Sequence, residues 1–160
     1  MKIAFFSEYG ENLKYPRNYH NARTDVAWTI ALDAPMCNLI HLPSYKFDLG
    51  IVIIPKNHPN VDLNHIRKIC DKVAVMQEGP HWYFQDYTVE EQFHYYNTLM
   101  SVDWVYCHNE SDVNYYLGLG CKDVRVMRSL MITDDIPKYD KPQDSIMLGG
   151  NFVSWYGGFD

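Results

Sequence analysis

Leu49-Gly50-Ile51-Val52-Ile53-Ile54-Pro55 is an almost unbroken apolar run that ends in a helix breaker. It is the length of a strand and rich in β-branched residues, and it lacks the polar alternation of a strand with one wet face. A run of this kind reads as a strand buried on both sides, as parallel sheets require. The same texture recurs at Lys2 to Ser7, Cys37 to Leu42, Lys72 to Gln77, Asp103 to His108 and Asp123 to Leu130. Amphipathic segments lie between these runs, and that alternation is the signature of βαβ units. It predicts a three-layer, Rossmann-like α/β domain with a mostly parallel six- or seven-stranded sheet closed on both faces by helices.

The helices carry their own punctuation. Thr24 is placed to cap a helix from Asp25 to Asp33, with Asp25 favourably set in its first turn. Asp62 is placed to cap the next, with Val61 and Ile66 as a hydrophobic staple. Thr88 and Glu91 have capping-box spacing ahead of Phe93, Tyr96 and Met100, which share one helical face. Ser111 begins a short helix that Gly118 or Gly120 ends. Residues 1–131 thus form the domain. The polar stretch with two prolines at 132–144 reads as a linker. A new apolar run, Ser145 to Leu148, opens 145–160, which is expected to be the start of a truncated second domain or a strand added to the same sheet.

At 160 residues, with 47% hydrophobic and 21% charged side chains, the chain can bury a full core without a disulfide or metal staple. Its formal charge of -6 opposes nucleic acid or an anionic lipid surface as a general partner, since neither polyanion would meet a broad basic face. No stretch is long and apolar enough for a membrane span, and the amino terminus lacks a signal-peptide pattern, so the expected compartment is the cytoplasm. Cys37, Cys70, Cys107 and Cys121 are widely spaced, which fits neither zinc nor a disulfide framework and predicts reduced, structural thiols. The 13 tyrosines suit carbohydrate stacking or an interface, and suit an ordinary half-buried surface as well.

Ligands of open α/β sheets gather beyond the carboxyl ends of the strands. Ser7, Glu8, Tyr9 and Gly10 follow the first strand there, and the loop to Arg23 is long enough to be functional. It carries no G-x-G-x-x-G, and the chain has no Walker-type loop, which disfavours dinucleotide oxidoreductases and nucleotide hydrolases. Glu78 ends an apolar strand beside Gly79-Pro80. As a desolvated carboxylate it is a candidate general base toward a hydroxyl, with His81 sharing the acid-base work. Trp82 and Tyr83 offer a stacking face. A carboxylate that caps its own turn, and aromatics that merely cover strand ends, are the competing readings. His108 and Asn109 close the fifth strand at a helix start, where they could hold an anion or simply cap the helix. No His, Cys or acidic cluster has metal-ligand spacing, and no G-x-S-x-G elbow occurs, so neither a metal nor a serine nucleophile is expected.

Lys46-Phe47-Asp48-Leu49-Gly50-Ile51-Val52 resembles the "yDvv" strand of GT-B glycosyltransferases. Val102 to Ser111 is similar to their "aD.vi..s" strand, Tyr115 to Gly120 to the following helix end, and Asp123 to Met127 to the next strand. The resemblance implies an amino-terminal, acceptor-side domain of an enzyme that moves a sugar from a nucleotide-sugar donor to a sugar or other hydroxyl acceptor. Catalysis would then fall to Glu78 or His81, and acceptor binding to Ser7, Glu8, Tyr9, Gly10, Trp82, Tyr83, His108 and Asn109. Gly149, Gly150 and Asn151 would open a donor-binding second domain, most of it missing, so that the chain alone is expected to be inactive. No cofactor is expected, and a homodimer is left open. The alternative is a complete, non-catalytic flavodoxin-like binding or interaction module.

Overall fold

The computed structural model describes residues 1–19, 23–55, 59–77 and 87–132. Among them are six strands, β1 (Ile3–Ser7), β2 (Met36–Asn38), β3 (Phe47–Ile53), β4 (Cys70–Met76), β5 (Trp104–Cys107) and β6 (Val124–Val126). Four helices alternate with them, α1 (Thr24–Ala31), α2 (Leu63–Arg67), α3 (Val89–Ser101) and α4 (Glu110–Gly118). The strands form one sheet in the order β2-β1-β3-β4-β5-β6, and every pairing is parallel. The expected α/β, Rossmann-like architecture is therefore the observed one.

Buried residues sort into two layers, one on each side of the sheet. Ile66 of α2, Tyr95 and Leu99 of α3 and Tyr116 of α4 pack with Val52, Val73, Val75 and Val105 on one face. Val26 of α1 packs with Phe5, Leu49, Ile51, Ile53 and Met76 on the other. The helices thus divide three to one among the described residues, because the chain leaves β1 toward β2 on one side and returns to extend the sheet on the other. All four cysteines are free and buried. Burial pushes the Cys37 and Cys70 thiols up to about 12, so both stay protonated as packing groups.

The expected caps hold at α2 and α3, shift at α1, and at α4 fall on the earlier of two candidates. The Asp62 side chain accepts from His65 N–H, and Thr88 with Glu91 forms a complete capping box. At α1 the cap position falls on Arg23, not Thr24, and no side chain caps it. At α4 it falls on Asn109, two residues before Ser111, again without a side-chain cap. The stop of α4 resolves to Gly120, whose φ of +97° suits only glycine. Gly120 N–H donates to Leu117 O and Cys121 N–H to Tyr116 O, which is the Schellman pattern.

Two strands are shorter than expected, each for a local reason. The Asn38 carboxamide oxygen accepts from Ile40 and His41 N–H and turns the chain out of β2. Beyond β6, Met127 N–H still reaches Cys107 O, but Arg128 O is taken by the Trp28 indole, which draws the chain toward α1.

Asp103 ties the lower part of the sheet together. Its carboxylate accepts from Val73 N–H, Lys72 and Arg67, while its own N–H donates to Val73 O. Burial works to raise this carboxyl, and these donors outweigh burial and hold it below its ordinary value. A depressed carboxyl contributes stability above the unfolded-state pKa and loses it as pH falls through the folded one. Asp103→Ala is expected to cost about 2 kcal/mol near neutral pH. In urea titrations the gap between wild type and variant should close as pH drops below 3.8.

Candidate functional site

The start of the first loop is held to the sheet edge by hydrogen bonds. Ser7 is buried, and its hydroxyl accepts from Tyr9 N–H while its carbonyl accepts from Gly10 and Leu39 N–H. Asn38 donates from its side chain to Glu8 O and Gly10 O. Asn12, at φ 60°, accepts Asn38 N–H with its side chain, and Leu13 bridges Met36 in antiparallel fashion. A Cβ on Gly10 would lie 2.0 Å from Cys37 O. That neighbour is backbone, so it cannot swing aside.

Of the four candidates after β1, Ser7 and Gly10 are buried within this hydrogen-bonded turn, and Glu8 contributes a backbone oxygen to the Asn38 network. Tyr9 alone reaches outward. It is 63% exposed, and the Arg23 guanidinium lies over its ring at 5.3 Å from the centroid.

Arg23 leads to a cavity of about 150 Å³ at the carboxyl edge of the sheet. Its walls are Arg23, Thr24 and Asp25 at the start of α1, Ile53 at the end of β3, Met76 and Gln77 at the end of β4, and His108 beyond β5. Asp25 is 5% exposed, grips Arg23 through both carboxylate oxygens at 3.1 and 2.8 Å, and accepts Val26 N–H. This fork-to-fork pair fixes the guanidinium and leaves the wall close to neutral.

Gln77 is equally buried. It donates from its amide to Asp112 in the first turn of α4 at 3.1 Å and accepts His108 N–H. Asp112, itself buried, thus sets the Gln77 amide, and Gln77 sets the His108 backbone.

The His108 ring is oriented by Met127 O, 2.8 Å from Nδ1. A carbonyl only accepts, so Nδ1 carries the proton and, in the neutral ring, Nε2 carries the lone pair. A group held this way can accept a ligand hydroxyl proton or, once protonated, donate to an anion. His108 also borders a second cavity of about 310 Å³ with Asn109, Glu110, Val126, Arg128 and Ser129. Asn109, at the cap position of α4, thus joins His108 at the rim of this cavity.

Glu78, His81, Trp82, Tyr83, Gly149, Gly150 and Asn151 lie outside the described residues. The sequence reading missed Arg23, Asp25, Gln77 and Asp112 as site residues. Asp25 was visible only as a first-turn acid, and nothing local marks Gln77, because its partners lie 31 and 35 residues away. Among the described residues no group of three or more His, Cys, Asp or Glu side chains could hold a metal ion, and no helix is long and apolar enough to cross a membrane. No protein-family model matches the chain, and no curated protein or solved structure shows significant similarity to it.

Two measurements check this geometry. Long-range ¹H–¹⁵N spectra of the neutral His108 ring should show the Nδ1–H tautomer, and an Nε2–H ring would contradict the Met127 tether. Gly10→Ala should destabilise the domain by about 1–3 kcal/mol in chemical denaturation, the range for overpacking at a site with no room to yield.

Proposed function

We propose that the carboxyl-edge cavity binds a hydroxyl-rich ligand, and that the chain acts as the acceptor-side domain of a sugar-transferring enzyme of the GT-B type. The observation that carries the reading is the composition of the cavity wall. Arg23 and Gln77 carry N–H donors, Asp25 acceptor oxygens and Thr24 a hydroxyl that does both, and His108 adds a ring whose Nδ1 is set by Met127 O. Mixed donors and acceptors on a nearly neutral wall match vicinal hydroxyls better than a phosphate, which would want uncompensated positive charge.

Size agrees with this choice. About 150 Å³ is below the roughly 300–1,000 Å³ of pockets that enclose a drug-sized ligand. It suits the edge of one sugar ring and leaves a nucleotide to be bound elsewhere.

The segments that resemble GT-B strands also support the reading. The stretch from Lys46 to Val52 falls on β3, which lies beside β1, and Val102 to Ser111 brings β5 and His108 to the same edge as the cavity. Glu78 and His81 are the proposed acid-base residues, since they follow Gln77 in the chain, with His108 as a further base candidate. A second reading is favoured by the strand order β2-β1-β3-β4-β5, which is the flavodoxin-like one. On that reading the chain is a non-catalytic binding module.

Saturation-transfer NMR against a panel of monosaccharides, disaccharides and nucleotide sugars tests the proposal. Sugars should bind, with amide shifts at Thr24, Gln77 and His108, and His108→Ala should weaken binding about tenfold, the equivalent of losing one hydrogen bond to the ligand. Absence of sugar binding, or shifts confined to other faces, would favour the binding-module reading.

A further inference from the structure

The opposite, amino edge of the sheet holds a larger groove of about 830 Å³, opened between the start of β1, the start of β3 and the end of α1. Met1, Lys2, Lys14 and Lys46 all line it, and Asp33 is the one acidic residue among the lining residues. Lys14 is spent on Asp33, and the Met1 ammonium lies 3.8 Å from Asp48. Lys2 and Lys46 make no ion pair with any described residue. The groove therefore keeps an excess of positive charge on a chain whose formal charge is -6.

Its walls are not merely charged. Tyr45, Leu13 and Leu32 line it as well, and they are 50%, 39% and 41% exposed. Apolar side chains open to solvent inside a cationic furrow call for a ligand that is anionic and apolar in alternation.

We propose that this amino-edge groove docks an acidic peptide segment of a partner protein, with carboxylates on Lys2 and Lys46 and an apolar or aromatic side chain against Tyr45 and Leu13. Charge complementarity selects the occupant. A duplex or a long single strand carries its charge past the groove onto a surface that is acidic overall, and a bilayer is too flat to reach apolar groups set within walls. A short acidic segment meets the positive furrow and little else. Because the groove opens at the amino ends of the strands, a docked segment leaves the carboxyl-edge cavity accessible, so this site stands whether or not that cavity binds sugars.

The test is fluorescence anisotropy with a labelled peptide in which Asp and Glu alternate with Leu and Phe, run beside an Asn/Gln analogue of the same pattern. The acidic peptide should bind, should weaken as salt rises, and should lose about tenfold or more in affinity for Lys2→Glu/Lys46→Glu. Both lysines lie at the surface, and an unchanged circular dichroism spectrum verifies that the variant folds. Amide shifts at Leu13, Leu32 and Tyr45 should accompany binding. Equal binding of the neutral analogue, no loss in the double variant, or binding of phosphatidylserine vesicles without binding of the peptide would each overturn the proposal. So would self-association that the double variant abolishes while the peptide fails to bind.

Discussion

Burial of β3 on both faces is the constraint on which the other elements depend. Leu49 and Ile51 to Ile53 are closed off from water, with Phe47 at the start of the strand also buried. Each large apolar side chain sealed in this way contributes about 1.5–3 kcal/mol. A strand in that position needs a partner on each edge, which β1 and β4 supply, and a helical layer on each side, which α1 supplies on one and α2 to α4 on the other. Gly50 shows how tight the fit is. A Cβ there would approach Cys70 Sγ to 2.8 Å and the Phe6 ring to 3.0 Å, and Phe6 is itself fixed edge-on against Phe47.

Two acids on the amino side complete this arrangement. Asp48 accepts Lys2 N–H and its own N–H donates to Lys2 O, while Asp103 makes the equivalent reciprocal contact with Val73. In each case a strand-initial carboxylate satisfies an amide of a neighbouring parallel strand, near the edge where the ladder starts. These are the acids of the two segments that resemble glycosyltransferase strands, and here both act in strand docking. An acid in such a pattern therefore testifies to how a sheet begins and says little by itself about catalysis.

Legibility in the sequence followed the range of the interactions. Strand cores were readable because burial on two faces forces an apolar run, and the Thr88–Glu91 box was readable because both partners lie within one turn. The end of β2 was not, since the apolar pattern continues through Leu42 and only the Asn38 side chain, by capturing the Ile40 and His41 amides, stops it. Arg23 took the cap position from Thr24 because the buried Asp25 carboxylate binds both the Arg23 guanidinium and the Val26 amide. The cavity was legible as a place and as one residue, His108. Its remaining walls depend on pairings such as Gln77 with Asp112, which exist only once β4 and α4 are packed together.

The two edges of the sheet also divide the electrostatic labour. At the carboxyl edge the strongest charges are cancelled internally, Arg23 by Asp25 at short range, so the proposed ligand would be selected by hydrogen-bond direction, and direction requires rigid holders. The chain from Asp112 through Gln77 to the His108 backbone, with Met127 O on the ring, provides that rigidity from α4, β4 and the segment after β6. At the amino edge the uncompensated charges sit on long, exposed lysine stems, which supply attraction without direction. A site built from fixed dipoles discriminates among small polar ligands. One built from mobile cations beside apolar groups would tolerate variation in what it docks, and the fold sets these two kinds of wall at opposite ends of the same strands.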